Sequence, residues 1–315
     1  MAEVLRTPDE RFADLPGWPY APRYLDDLPG FEGSRLHYVD EGPRDAQVTA
    51  LCLHGEPTWA YLYRRMLPVF TAAGLRVVAP DFYGFGRSDK PADDAWYSFD
   101  RHRETMLAFV ARLDLRGVLL VVQDWGGLIG LTLPLAAPER YTRLLVMNTG
   151  LGTGTVTEGF RRWRDYNNSQ RDLAVGRLIQ RGCPQLGDAE AAAYDAPFPD
   201  RRFKAGVRAF PNLVPDHDDA PGAAVSRDAL AFWKARWAGD SFMAIGMADP
   251  VLGAPAMRAL HAAIGRFGVV RVAVARSASC TRCGDCLARC PEPQVLAPLL
   301  RGRATTTAVA AGDCL

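Results

Sequence analysis

The sequence predicts an α/β protein: a mostly parallel, doubly wound sheet, with a helical cap inserted between two of its strands. Three observations carry this. Short apolar runs of strand length alternate with stretches of helical spacing along the first 150 residues, the pattern of a parallel sheet covered on both faces. One such run, Gly117-Val-Leu-Leu-Val-Val-Gln123, passes directly into Asp124-Trp125-Gly126-Gly127 and then into a helix start. Residues 151–230 break the alternation with aromatics, prolines and arginines.

Taken in order, residues 1–30 are rich in proline and aspartate and read as an irregular lead-in. Leu36-His-Tyr-Val-Asp40 alternates like a strand and ends in Glu-Gly-Pro, a turn; His37 is read as structural. Val48-Thr-Ala-Leu-Cys-Leu53 is a buried strand with Cys52 as a small core residue, followed by the loop His54-Gly55-Glu56-Pro57-Thr58-Trp59. Leu75–Pro80 is the next strand and Arg103–Leu113 has helical spacing. Leu144–Asn148 and Phe242–Gly246 are two more strands. The segment between them reads as a cap over an active site, and its Trp163, Tyr166, Tyr194, Phe198, Phe203 and Phe210 suit either a site or the cap's own small core. The expected organisation is therefore core over 1–150, cap over 151–230, core again over 231–264, and a cysteine-rich tail over 265–315.

Composition narrows the function. With 48% apolar and 23% charged residues, the chain is an ordinary globular protein. A net charge of +1 gives no electrostatic case for nucleic acid or an anionic membrane. The N-terminus is charged and lacks the apolar centre of a secretory signal, and no apolar run is long enough to span a bilayer. A cytoplasmic monomer is expected.

The turn after Gln123 holds the chemistry. A tight strand–turn–helix exposes one side chain above the sheet, and the glycines at 126 and 127 remove side chains that would collide there. The exposed residue is Asp124. A carboxylate nucleophile suits displacement at an alkyl carbon, because it forms an ester that water can later open. An ordinary strand followed by an aspartate helix cap has the same local pattern.

Several segments stand together: His54-Gly-Glu-Pro-Thr-Trp-Ala-Tyr-Leu-Tyr-Arg64, Asp81-Phe-Tyr-Gly-Phe-Gly-Arg-Ser-Asp-Lys-Pro91, Val121-Val-Gln-Asp-Trp-Gly-Gly127, Ala193-Tyr-Asp-Ala-Pro-Phe-Pro-Asp200 and Phe242-Met-Ala-Ile-Gly-Met-Ala-Asp249. Over residues 1 to about 263 the chain resembles haloalkane dehalogenases of the α/β-hydrolase fold. The elbow alone also resembles epoxide hydrolases, an alternative; the Glu-Pro-Thr-Trp loop and the cap tryptophan favour the dehalogenase. The resemblance implies that Asp124 attacks a small haloalkane and forms an alkyl ester. It implies that the main-chain N–H groups of Glu56 and Trp125 form the oxyanion hole, and that the indoles of Trp125 and Trp163 hold the halide. Asp249 would orient a histidine; Asn148, at the strand end where related enzymes place their acid, cannot carry that charge. Water is the second substrate and no cofactor is implied.

The resemblance stops short of that histidine, which the family carries on the loop after the last strand. The five histidines are 37, 54, 102, 217 and 261, and His261 lies in what reads as the helix before that strand. The hydrolytic step is therefore expected to be impaired. Beyond residue 265 comes Cys280-Thr-Arg-Cys283-Gly-Asp-Cys286-Leu-Ala-Arg-Cys290-Pro291, a C-x₂-C-x₂-C-x₃-C-P run. This stretch resembles the ferredoxin-type part of the membrane quinol dehydrogenase subunit of periplasmic nitrate reductase. In two-cluster ferredoxins the fourth cysteine serves the other cluster, and the second run here begins only at Cys314. A complete iron–sulfur cluster is thus not expected. A makeshift iron–sulfur or zinc site on Cys280, Cys283, Cys286 and Cys290, with the hydrolase part as passive carrier, is the alternative. The tail replaces the end of the sheet, although Val269–Ala275 is β-prone and suits the last strand position.

Overall fold

In a computed structural model, residues 3–247 and 249–264 are described in full and 270–275 for their backbone. Eight strands form one sheet: β1 (Arg23–Leu25), β2 (Leu36–Glu41), β3 (Thr49–Leu53), β4 (Arg76–Pro80), β5 (Val118–Gln123), β6 (Tyr141–Met147), β7 (Asp240–Gly246) and β8 (Val270–Ala275). Their spatial order is β8-β7-β6-β5-β3-β4-β2-β1. Pairing is parallel from β8 to β4 and antiparallel for β2 and β1 at the far edge.

Each central strand reads as a continuous apolar run because both its faces are covered. Every residue of β3 and β5 is buried. The Cys52 thiol is fully buried within β3, and burial pushes its pKa up, as suits a core residue. The backbone of β8 runs in register beside β7, Val270 opposite Ser241 through Ala275 opposite Gly246, so the β-prone stretch after residue 269 does occupy the last sheet position.

The first thirty residues are more ordered than their composition predicts. β1 pairs with β2, Arg23 opposite Tyr38 and Leu25 opposite Leu36. Val4–Leu5 pairs with Lys90–Pro91, and the Arg6 guanidinium grips Asp89 through two bonds of 2.7 and 2.8 Å. Strands of two or three residues carry no periodicity of their own; their partners across the sheet create them.

The helices follow ordinary end rules. α1 spans Leu67–Ala72 and α2 spans Phe99–Arg112. Ser98 caps α2 by accepting from the Arg101 amide at 3.1 Å, and Arg112 sits in its last turn. Its buried Phe99, His102, Met106, Phe109 and Val110 recur at helical spacing on one face. α3 (Trp125–Gly130) follows β5 directly.

Between β6 and β7 the chain forms α4 (Glu158–Ser169), α5 (Val175–Gly182), α6 (Asp188–Asp195) and α7 (Ala205–Leu213). α8 (Ala223–Ala235) then packs against α9 (Ala254–Ile264), and its Trp233 indole donates to the Leu131 carbonyl at 2.8 Å. Arg64 binds Glu190 at 2.7 Å and Arg208 binds Asp94 at 2.6 Å, joining cap to core.

Phe210 of α7 closes the same joint. Its ring centroid lies 4.6 Å from His102 and 4.6 Å from Trp125, with Phe82 and Tyr97 completing the box around His102. Burial, then the neighbouring His54 and Arg101, pulls the His102 pKa down to about 3. The folded state therefore keeps this ring neutral, whereas the unfolded chain takes up a proton near pH 6.5. The stability contribution is intact above that pH and is lost as pH falls toward 3. His102→Phe is expected to make the loss of melting temperature between pH 6.5 and 4 shallower than in the wild type, measured by thermal scans across that range.

Candidate active site

Asp124 stands between β5 and α3 in a backbone conformation that L-residues avoid, φ +51° and ψ −121°. The surrounding bonds hold it there. Its N–H donates to the Asn148 carbonyl at 3.2 Å. Its carbonyl accepts from Gly127 and Leu128 at 2.9 and 3.1 Å and from the Thr149 hydroxyl at 2.6 Å. The close approach of three segments explains the glycines. A Cβ on Gly126 would lie 1.9 Å from the Leu53 carbonyl oxygen, and one on Gly127 would lie 2.0 Å from Thr149 Oγ1. One on Gly55 would lie 2.5 Å from Asp124 Cβ.

The loop after β3 turns a donor toward the carboxylate. The Glu56 amide donates to Asp124 Oδ1 at 2.9 Å. His54 shapes the loop: its Nε2 accepts from the Phe82 amide at 3.0 Å, which leaves Nδ1–H to donate to the Gly55 carbonyl at 2.9 Å. Both nitrogens are thereby occupied in the neutral ring, and burial lowers the pKa further. Thr58 also donates to the Gly55 carbonyl, from its hydroxyl at 2.8 Å and its amide at 3.0 Å.

Asp124 and Trp125 face a cavity of about 390 Å³ whose lining also includes Glu56, Leu128, Phe160 and Trp163. Trp163 reaches it from α4, and Thr157 caps that helix by accepting from the Phe160 amide at 3.0 Å. The geometry thus brings together Asp124, the Glu56 amide, Trp125 and Trp163. Buried Asp249, three residues past the end of β7, is held at both oxygens: Oδ2 accepts from Asn148 Nδ2 at 2.8 Å, and Oδ1 from the amides of Val251 and Leu252 at 2.8 and 3.0 Å. Asn148 in turn accepts from the Gly246 amide at 2.7 Å, clipping the end of β6 to that of β7. From the sequence, Thr149 gives no signal, and Phe210 is one of several cap aromatics that suit either a site or the cap's own core. A threonine after a strand and a phenylalanine within a cap carry no motif; only their contacts with the Asp124 carbonyl and the Trp125 ring reveal them.

The five histidines lie elsewhere. His37 is buried, bonded at 2.7 Å to Asp81 as a structural pair, and His217 is exposed beside Asp216. His54 and His102 are buried as described, and His261 lies half-buried on α9. None lines the cavity. Cys280, Cys283, Cys286 and Cys290 lie outside the described residues. Among the described residues no group of three potential ligands could hold a metal ion, and no helix is long and apolar enough to cross a membrane.

A mixed sheet with a strand–Asp–helix elbow beneath a helical cap defines an α/β-hydrolase, and the family model described as the alpha/beta hydrolase fold matches residues 51–276. Within that class, a haloalkane dehalogenase of Psychrobacter cryohalolentis is 49% identical over 232 residues, 72% of this chain and 76% of the relative. One of Mycobacterium marinum is 45% identical over 262 residues, 80% and 85% of the two chains. The tetrameric structure of the haloalkane dehalogenase DpaA from Paraglaciecola agarilytica matches with a TM-score of 0.87 at 41% identity, covering 98% of this chain and 100% of that one. The chain belongs to the haloalkane dehalogenase family.

The packing at the elbow gives a test. Gly126→Ala drives a methyl group into a main-chain carbonyl that cannot swing aside. It is expected to lower stability by about 1–3 kcal/mol, as overpacking does, read by chemical denaturation with the wild type alongside.

Proposed function

We propose that the chain displaces halide from small haloalkanes through an alkyl ester on Asp124, and that hydrolysis of this ester is impaired. The observation that carries the reading is the Asp124 carboxylate, fixed by the Glu56 amide at 2.9 Å, at the wall of a cavity it shares with two tryptophans. One carboxylate oxygen attacks the halogen-bearing carbon in line, and the carbon–halogen bond breaks as the carbon–oxygen bond forms. The oxygen facing the Glu56 amide becomes the ester carbonyl, and that amide with the Trp125 amide would stabilise the oxyanion of the later step. The indole N–H groups of Trp125 and Trp163 receive the leaving halide. Tryptophan suits this because it donates without a competing acceptor.

The second step needs a base to take a proton from water. The family's histidine would come after the last strand, and no histidine follows His261. Asp249, held by three N–H donors, would then lack the imidazole it orients. Loss of a positioned general base costs on the order of 10²- to 10⁴-fold.

The experiment is halide released per mole of purified protein with a short bromoalkane, with intact-protein mass recorded in parallel. The expected course is a burst of one equivalent and an alkyl mass increment, both absent in Asp124→Asn, followed by release at least ~100-fold slower. Sustained release at the burst rate overturns the impaired second step; no burst and no adduct overturn the nucleophile. Trp163→Phe removes one donor to an anion, worth about 1.5–3 kcal/mol, so the burst rate is expected to fall roughly 10- to 100-fold.

A further inference from the structure

Three donors converge on the Asp124 carbonyl. The amides of Gly127 and Leu128, at 2.9 and 3.1 Å, belong to α3. The third and shortest, at 2.6 Å, is the Thr149 hydroxyl, which reaches the elbow from just past the end of β6. Thr149 is fully buried and is itself fixed. Its amide donates to Met257 Sδ of α9 at 3.3 Å, and its side chain packs on Gly127, where a Cβ would lie 2.0 Å from Oγ1 and 2.4 Å from Cγ2. The carbonyl that Thr149 holds belongs to the peptide unit that carries the Trp125 amide. Such a unit is planar and trans, so its N–H points opposite to its C=O. Three bonds to the carbonyl stop the unit from turning about the Asp124 ψ of −121°, and the same bonds set the direction of the Trp125 N–H. Donation to the carbonyl also polarises the unit and strengthens that N–H as a donor.

We infer that Thr149 is a positioning residue for ester hydrolysis: its hydroxyl aims the Trp125 amide as the second oxyanion donor on Asp124. The inference rests on the halide-displacement reading and adds a residue to it. In that reading the carboxylate oxygen that faces the Glu56 amide at 2.9 Å becomes the ester carbonyl. Negative charge gathers on this oxygen when a nucleophile adds to Asp124 Cγ, so a donor aimed at it accelerates the second step. In the first step charge leaves the carboxylate as the carbon–oxygen bond forms, and the same donor gives no rate advantage. Thr149 touches no reacting atom; it acts through one peptide plane. Without its hydroxyl that plane keeps only the two bonds from α3 and can rock about them. The loss therefore falls on hydrolysis and spares alkylation.

The test separates the two steps. The protein is alkylated with bromoethane and freed of reagent, and the decay of the adduct is followed by intact mass at alkaline pH, where hydroxide is the nucleophile and no protein base is needed. Hydroxide adds to Cγ, the bond from Cγ to the alkoxide oxygen breaks, and the alkoxide takes a proton from water. Thr149→Val is expected to form the adduct at about the wild-type rate and to slow its decay roughly 10-fold, less than the ~10²- to 10³-fold cost of deleting an oxyanion donor outright. Thr149→Ser, which keeps the hydroxyl, is expected to restore the wild-type decay. Unchanged decay in Thr149→Val, equal slowing of both steps, or a Thr149→Ser variant as slow as Thr149→Val overturns the inference and leaves halide displacement standing. So does a wild-type adduct that decays no faster when folded than in urea, since no oxyanion donor is then at work. The absence of any adduct in the wild type overturns the halide-displacement reading as well.

Discussion

The arrangement depends on one backbone constraint: Asp124 carries its carboxylate on a residue held at positive φ. That conformation costs of order 1–3 kcal/mol for a residue with a side chain. It persists because four bonds to its carbonyl and amide, from α3, Thr149 and Asn148, fix it from both sides. The glycines at 55, 126 and 127 answer the same constraint, since they let β3 and its loop, the elbow and the end of β6 approach without side chains between them. The constraint sets the carboxylate beneath a main-chain donor, the Glu56 amide.

The same economy appears in the loop after β3. His54 spends both ring nitrogens on main-chain groups, so a residue type often linked to proton transfer is here a brace. What it braces is the segment that presents the Glu56 amide to the Asp124 carboxylate. A second brace, the Asn148 side chain, links the ends of β6 and β7 and holds Asp249. The cap adds the apolar roof: Phe210 seals against Trp125 and His102 on one side, while Trp163 opens to the cavity on the other. Aromatics of one cap thus divide between sealing and lining, a division set by which helix face each occupies.

Much of this was legible in the residues. Continuous apolar runs identified β3 to β7 because strands covered on both faces need no polar alternation. Asp-Trp-Gly-Gly after such a run marked the elbow because only a sharp turn needs paired glycines beside a polar residue. Those local signals, with the loop Glu-Pro-Thr-Trp, were enough to place the chain in its family, and the positions of the five histidines are a property of the sequence alone.

Other features exist only through contacts between distant segments. β1 and the strand at Val4–Leu5 are too short to have a pattern and form because partners wait for them. Thr149 and Phe210 carry no motif, and they matter because folding sets them 2.6 Å from the Asp124 carbonyl and 4.6 Å from the Trp125 ring. That none of the five histidines lines the cavity while Glu56 does is likewise a tertiary fact. The sequence by itself determined the fold class, the elbow at Asp124 and the family, because periodicity and turn chemistry act over a few neighbours. Only the tertiary structure decided which side chains share the cavity with Asp124, because that depends on how segments far apart along the chain come to face one point.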